Sequence, residues 1–149
     1  MTTSGSGAGT PRGTADVFRL LPFVHHPPAR VLLPQADDAT ARALDARGYR
    51  VSTCGGGDLA GITRLPGTFP NVAFAEYDLV CECGAYAGSD RSAYVDACAR
   101  ALRPGGLLFG SFPGGAADLL HRFGGRFDSA RLEPSSEREG WFEAIFVRR

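Results

Sequence analysis

Apolar positions along the chain fall into short blocks, and each change of period marks a new element. Val31-Leu-Leu33 is a continuous apolar run, which with Arg30 predicts a short strand buried on both faces. Tyr49 to Cys54 predicts a second strand. Between them the spacing turns helical, from about Ala39 to Arg47. Asp37 or Asp38 stands ahead of that helix, where a carboxylate accepts the free N–H groups of a first turn. Gly48 stands just behind it, where a left-handed residue ends a helix. Strand, helix, strand is the opening βαβ unit of a doubly wound sheet.

The same reading carries to the C-terminus. Ala15 to Val24 predicts a short helix that His25-His26-Pro27-Pro28 stops. Tyr77 to Cys81 reads as a buried strand. Ser89 or Asp90 caps a helix to about Leu102, whose apolar face is Tyr94, Val95, Cys98, Ala99 and Leu102. Arg103-Pro-Gly-Gly106 turns into a strand from Leu107 to Phe112, and a helix from Ala116 to Phe123 presents Leu119, Leu120 and Phe123 together. Ser129 to Glu133 and Trp141 to Val147, joined by the polar turn Pro134 to Gly140, predict a closing antiparallel pair. Residues 55–64, opening with Gly55-Gly-Gly57, are too few for the helix and third strand that normally follow. Leu65 to Asn71 reads as a loop by its Pro and Gly content. The expectation is a mostly parallel α/β domain over residues 14–149, shortened around the third strand, with strand two left as an edge. Residues 1–13, rich in Gly, Ser and Thr, read as a disordered leader.

Composition narrows the function classes. Formal net charge is +0, so no overall basic field favours nucleic acid or an anionic membrane. No apolar run approaches the roughly 20 residues of a membrane span. Four cysteines with no secretory signal fit reduced thiols in a cytoplasm, not a disulfide framework.

Three local patterns together resemble the class I S-adenosylmethionine-dependent methyltransferases, in particular their small thiol- and thiopurine-type branch. Leu65-Pro…Phe69-Pro…Phe74…Tyr77-Asp-Leu-Val80 is similar to that family's approach to its fourth strand. Leu102-Arg-Pro-Gly-Gly106 is similar to its turn into strand five, and Trp141-Phe-Glu-Ala-Ile-Phe-Val147 to its last strand. The resemblance spans residues 29–147. It implies a Rossmann-like sheet, and cofactor contacts at Pro34, Gln35, Ala36, Asp37, Cys54 and Glu82. It also implies substrate contacts at Gly84, Ala85 and Tyr86, with Glu82 as a base or a contact to the substrate amine.

The departures from the family are chemical. Its first turn is glycine-rich and an acid follows its second strand, whereas here the turn is Gln35-Ala36-Asp37-Asp38 and the strand ends in Cys54-Gly55. Side chains on the turn take space that the cofactor needs. Asp37 and Asp38, if they faced the methionine carboxylate at about 4 Å, would cost on the order of several kcal/mol. The sequence therefore predicts a methyltransferase-like domain that needs no cofactor and acts through binding or assembly, with a second copy or a protein partner on the exposed sheet edge. The alternative is an active small-molecule methyltransferase using S-adenosylmethionine.

Cys54, Cys81 and Cys83 form a third candidate, since thiolates at neighbouring strand ends suit a tetrahedral Zn²⁺ with Asp58 or Glu82 as fourth ligand. His25 and His26 precede the first strand and lie about 16 Å away across a five-residue strand, at roughly 3.3 Å per residue. Cys81 and Cys83 also suit the role of small buried hydrophobes, as Cys98 does on its helix face. Glu82 alternatively reads as a solvated acid just past its strand.

Overall fold

A computed structural model describes residues 14–69 and 75–149. The expected leader 1–13, and the Pro70 to Phe74 part of the run before the fourth strand, lie outside the described residues. The elements are helix α1 (Thr14–Leu20), continued by a 3-10 turn (Leu21–Phe23), β1 (Arg30–Leu33), α2 (Asp38–Ala46), β2 (Arg50–Cys54), β3 (Thr63–Leu65), β4 (Tyr77–Glu82), α3 (Arg91–Ala101), β5 (Leu102–Pro113), α4 (Ala116–Phe123), β6 (Phe127–Pro134) and β7 (Trp141–Arg148).

They form one seven-stranded sheet in the order β3-β2-β1-β4-β5-β7-β6. Strands β1 to β5 run parallel, and β7 is antiparallel to both β5 and β6. The mostly parallel α/β fold with a C-terminal antiparallel pair is as the sequence predicts. Strand alternation sends side chains to two separate cores. On one face Val31, Leu33, Leu79, Phe109 and Ile145 pack with α1 and α2 through Val17, Leu20, Ala41 and Leu44. On the other, Leu32, Val80, Leu108 and Phe112 pack with α3 and α4 through Tyr94, Cys98, Leu119 and Phe123. This second core is largely aromatic. Phe123 stacks on Phe146 at 4.3 Å, and Phe112 meets both edge-on.

Capping residues fix the helices. The Asp37 carboxylate accepts from the Thr40 N–H at 3.5 Å and the Thr40 hydroxyl at 2.9 Å, and Asp90 accepts from the Ala93 N–H at 3.0 Å. Gly48 follows α2 with φ +95°. Asp78 ties three strand starts together. It accepts from the Arg30 N–H at 2.9 Å and from the Arg103 guanidinium, and these contacts outweigh partial burial to hold its carboxyl below the usual range.

Two expectations are corrected. The third strand exists, so β2 is not an edge. Three residues, Thr63 to Leu65, pair parallel with Ser52 to Cys54. Because β3 covers only the end of β2, the chain returns over about two residues of strand, and residues 55–62 suffice where a full crossover helix normally stands. Leu120 is the other: it is 45% exposed while Leu119 and Phe123 are buried, because a short helix turns one position of that trio outward.

β4 and β5 approach closely where Glu82 faces Gly110. A Cβ on Gly110 would stand 2.8 Å from both Cβ and the carbonyl oxygen of Glu82, at φ +150°. Gly110→Ala is expected to destabilise by about 2 kcal/mol or more, a fall in Tm of roughly 5 °C. Gly57→Ala, which meets nothing within 4 Å, should stay within about 0.5 kcal/mol of wild type. Thermal melts of both variants check this.

Candidate functional site

The chain leaves β1 to build β2 and β3 on one side, then returns to place β4 on the other. Open α/β sheets bind ligands at such a reversal, in the crevice beyond the carboxyl ends of the strands. A cleft of about 380 Å³ lies there, lined by Pro34 and Gln35 after β1, Cys54 and Gly55 after β2, Gly67, Thr68 and Phe69 after β3, and Ala85, Gly88 and Ser89 after β4.

Of the residues expected to contact a cofactor, Pro34, Gln35 and Cys54 line this cleft. Ala36, Asp37 and Glu82 are not in its wall. Asp37 caps α2, its carboxylate held by Thr40. Of the expected substrate residues, only Ala85 reaches the cleft. Tyr86 is fully buried, its ring packed against Tyr94, Phe112 and Phe123. Gly84 is screened by Gln35, whose Nε2 would stand 3.2 Å from a Cβ placed there.

Glu82 corrects the reading of a solvated acid. It is the last residue of β4 and 3% exposed. One carboxylate oxygen accepts from the Gly84 and Tyr86 N–H groups at 2.8 and 3.1 Å, and the other from the Tyr94 hydroxyl at 2.7 Å. A buried carboxylate is held in place by such donors. Burial raises its pKa above the ordinary 4.5, and the three donors offset only part of that. Burial also holds the Tyr94 phenol well above its usual value, and pushes the Cys54 thiol up to about 11. The cleft wall thus presents a thiol, not a thiolate.

The zinc set does not assemble. Cys54 belongs to the aromatic core face and Cys81 to the opposite face. Strand parity separates them, although both sit at carboxyl ends. Among the described residues no group of three or more His, Cys, Asp or Glu side chains is arranged to hold a metal. His25 does lie at the far end of the sheet, its Nε2 3.1 Å from the Gly105 carbonyl.

Sequence reasoning missed Gly67, Thr68, Gly88 and Ser89. Phe69 belongs to the run that carried the resemblance and was the available signal. Of the two capping candidates, Ser89 and Asp90, it is Asp90 that caps α3, while the Ser89 hydroxyl donates to the Ala85 carbonyl at 2.6 Å.

No family model and no curated protein sequence matches the chain. Solved structures do match. A Burkholderia thailandensis 1,6-didemethyltoxoflavin-N1-methyltransferase, with 1,6-didemethyltoxoflavin and S-adenosylhomocysteine bound, superposes with a TM-score of 0.75 at 13% identity, over 91% of this chain and 76% of that one. A TehB-like S-adenosylmethionine-dependent methyltransferase from Corynebacterium glutamicum gives 0.73 at 14%, over 95% and 90%. A Haloferax volcanii putative methyltransferase in complex with the Trm112 activator gives 0.69 at 16%, over 90% and 87%. The chain has the fold of the class I S-adenosylmethionine-dependent methyltransferases. No helix among the described residues is long and apolar enough to cross a membrane.

The described lining residues of the cleft carry no formal charge. Gln35 stands over the backbone of Gly84.

Glu82 generates a pH prediction. Its folded pKa is raised, so its stabilising effect is complete below about 4.5, the ordinary value, and is lost as pH rises through the folded value. Glu82→Gln removes the titration. The Tm advantage of wild type over Glu82→Gln should be largest in the most acidic buffer that keeps both folded, and should shrink toward neutral pH. Glu82→Ala strands two N–H groups and the Tyr94 hydroxyl, and should cost about 3 kcal/mol or more throughout. Melts of the three proteins across pH measure both effects.

Proposed function

We propose that this is a methyltransferase-like domain that does not turn over S-adenosylmethionine and acts by binding, with its cleft suited to an uncharged ligand or to a segment of a partner protein. The observation that carries this reading is the absence of formal charge from the described cleft wall, together with the sealing of Glu82 beneath it. A charge-free wall with an aromatic floor, Phe69, and a few neutral polar groups, Gln35, Thr68 and Ser89, favours a neutral planar molecule over a zwitterion carrying a sulfonium. Glu82 then works as a positioning residue that shapes Gly84 to Tyr86 through their N–H groups. The Haloferax neighbour, in complex with an activator protein, supports the idea that this fold serves in assemblies.

A second reading has its own observation. The cleft lies where a doubly wound sheet binds ligands, and its roughly 380 Å³ is within the usual range for a small-molecule site. On this reading the chain is an active small-molecule methyltransferase, with the cofactor laid across Pro34, Gln35 and Cys54 and its ribose held by neutral groups such as Ser89.

Calorimetric titration separates the two. The first reading expects no saturable heat with S-adenosylmethionine or S-adenosylhomocysteine up to millimolar concentration. A dissociation constant in the micromolar range for either would reject the neutral-ligand reading of the cleft, and methyl transfer from S-adenosylmethionine to an acceptor would establish the second.

A further inference from the structure

Cys81 and Cys83 remain unused by the cleft. Cys81 is fully buried near the end of β4, in the core layer that also holds Leu33, Leu79 and Phe109, and Cys83 follows the strand at the half-buried margin of that layer. Two positions apart, both leave the chain on the same face, and their sulfurs stand 3.8 Å from one another. Neither other thiol is placed to compete. Cys54 lies on the opposite face, and Cys98 is fully buried on α3 against that same opposite core.

We propose that Cys83 is a modification site for low-molecular-weight disulfides, with Cys81 as the resolving thiol that converts the adduct into a Cys81–Cys83 disulfide. In the first step the Cys83 thiolate attacks one sulfur of R–S–S–R. The reagent's S–S bond breaks, and RS⁻ leaves and takes up the proton that Cys83 released. In the second step the Cys81 thiolate attacks the Cys83 sulfur of the mixed disulfide and expels the second RS⁻, which takes the Cys81 proton. The two protein thiols lose two electrons, and the reagent becomes two thiols. Cys83 is the entry point because it is the more exposed of the pair, and the sulfurs need to close only from 3.8 Å to about 2.05 Å.

Glu82 lies between the two cysteines and points to the other face, where its carboxylate holds Gly84 and Tyr86. Drawing Cys83 toward Cys81 turns the peptide units on which that grip depends. The bridge therefore loosens the segment that carries Ala85, Gly88 and Ser89 into the cleft. Contact with Cys81, burial, and the negative Glu82 and Asp37 hold the Cys83 thiol protonated well above its usual range. The exchange is accordingly run at the most alkaline pH at which the chain stays folded, since only the thiolate attacks.

The test treats the reduced full-length chain with excess oxidised glutathione in native buffer, quenches by alkylation and reads intact mass and tryptic peptides. With no Lys in the chain, cleavage after Arg places Cys54 in residues 51–64, the Cys81/Cys83 pair in 65–91 and Cys98 in 92–100. Wild type is expected to end lighter by two hydrogens, bridged within 65–91, with Cys54 and Cys98 alkylated and a lowered Tm. Cys81→Ser should stop at one stable glutathionyl group on Cys83, and Cys83→Ser should acquire none on Cys81. Should Cys81→Ser not fold, Cys81→Ala carries the same expectation, and the wild-type peptide map decides independently. Four free thiols in wild type, a glutathionyl group it never resolves, or a bridge that includes Cys54 or Cys98 would overturn the proposal.

Discussion

The geometry of the cleft depends on one buried carboxylate. Glu82 closes β4 at the reversal of the sheet and takes three donors, two from the segment that follows it and one from Tyr94 on α3. That set of contacts folds residues 83–86 back over the strand end, brings Ala85 into the cleft wall and turns Tyr86 into the aromatic core. An unpaired acid in this position would be untenable at such burial. The local backbone and the packing of α3 against the sheet are therefore coupled through one side chain. Gly110 completes the arrangement from β5, since anything larger than hydrogen would collide with the same residue.

The cleft's chemistry follows from where the acids go. Several carboxylates are committed to the scaffold. Asp37 caps α2, Asp78 ties the starts of β1 and β5 to β4, Asp90 caps α3, and Glu82 holds the turn. The remaining described wall is formed by small and neutral groups. The sheet is of the methyltransferase type, and the fold alone does not fix what its cleft takes.

Much of the fold was legible in the sequence. The βαβ opening and α3 announced themselves by a clear change of period flanked by an acid, with a glycine closing the first of them. The closing hairpin was visible because its strands are long and its turn polar. β3 was hidden because Thr63 and Arg64 are exposed and three residues show no period. The site was less legible. Pro34, Gln35 and Cys54 entered through the family resemblance, but the burial of Glu82 depends on Tyr94, twelve residues away on a helix, which no local pattern reveals. The separation of Cys54 from Cys81 depends on which face each strand turns to which helices, a property of the assembled sheet. Asp37 was legible as a cap, and its contacts with Thr40 bear that out.

The shortness of the passage from β2 to β3 has a consequence for how the molecule breathes. Without a crossover helix, β3 is held by pairing with β2 alone and by Leu65, half-buried against the aromatic core. The opposite half of the sheet, where β5 is hydrogen-bonded on both sides and covered by α1 on one face and α3 on the other, is clamped throughout. Local opening is therefore expected at β3, which pairs over only three residues where the other edge strand, β6, pairs along most of its length.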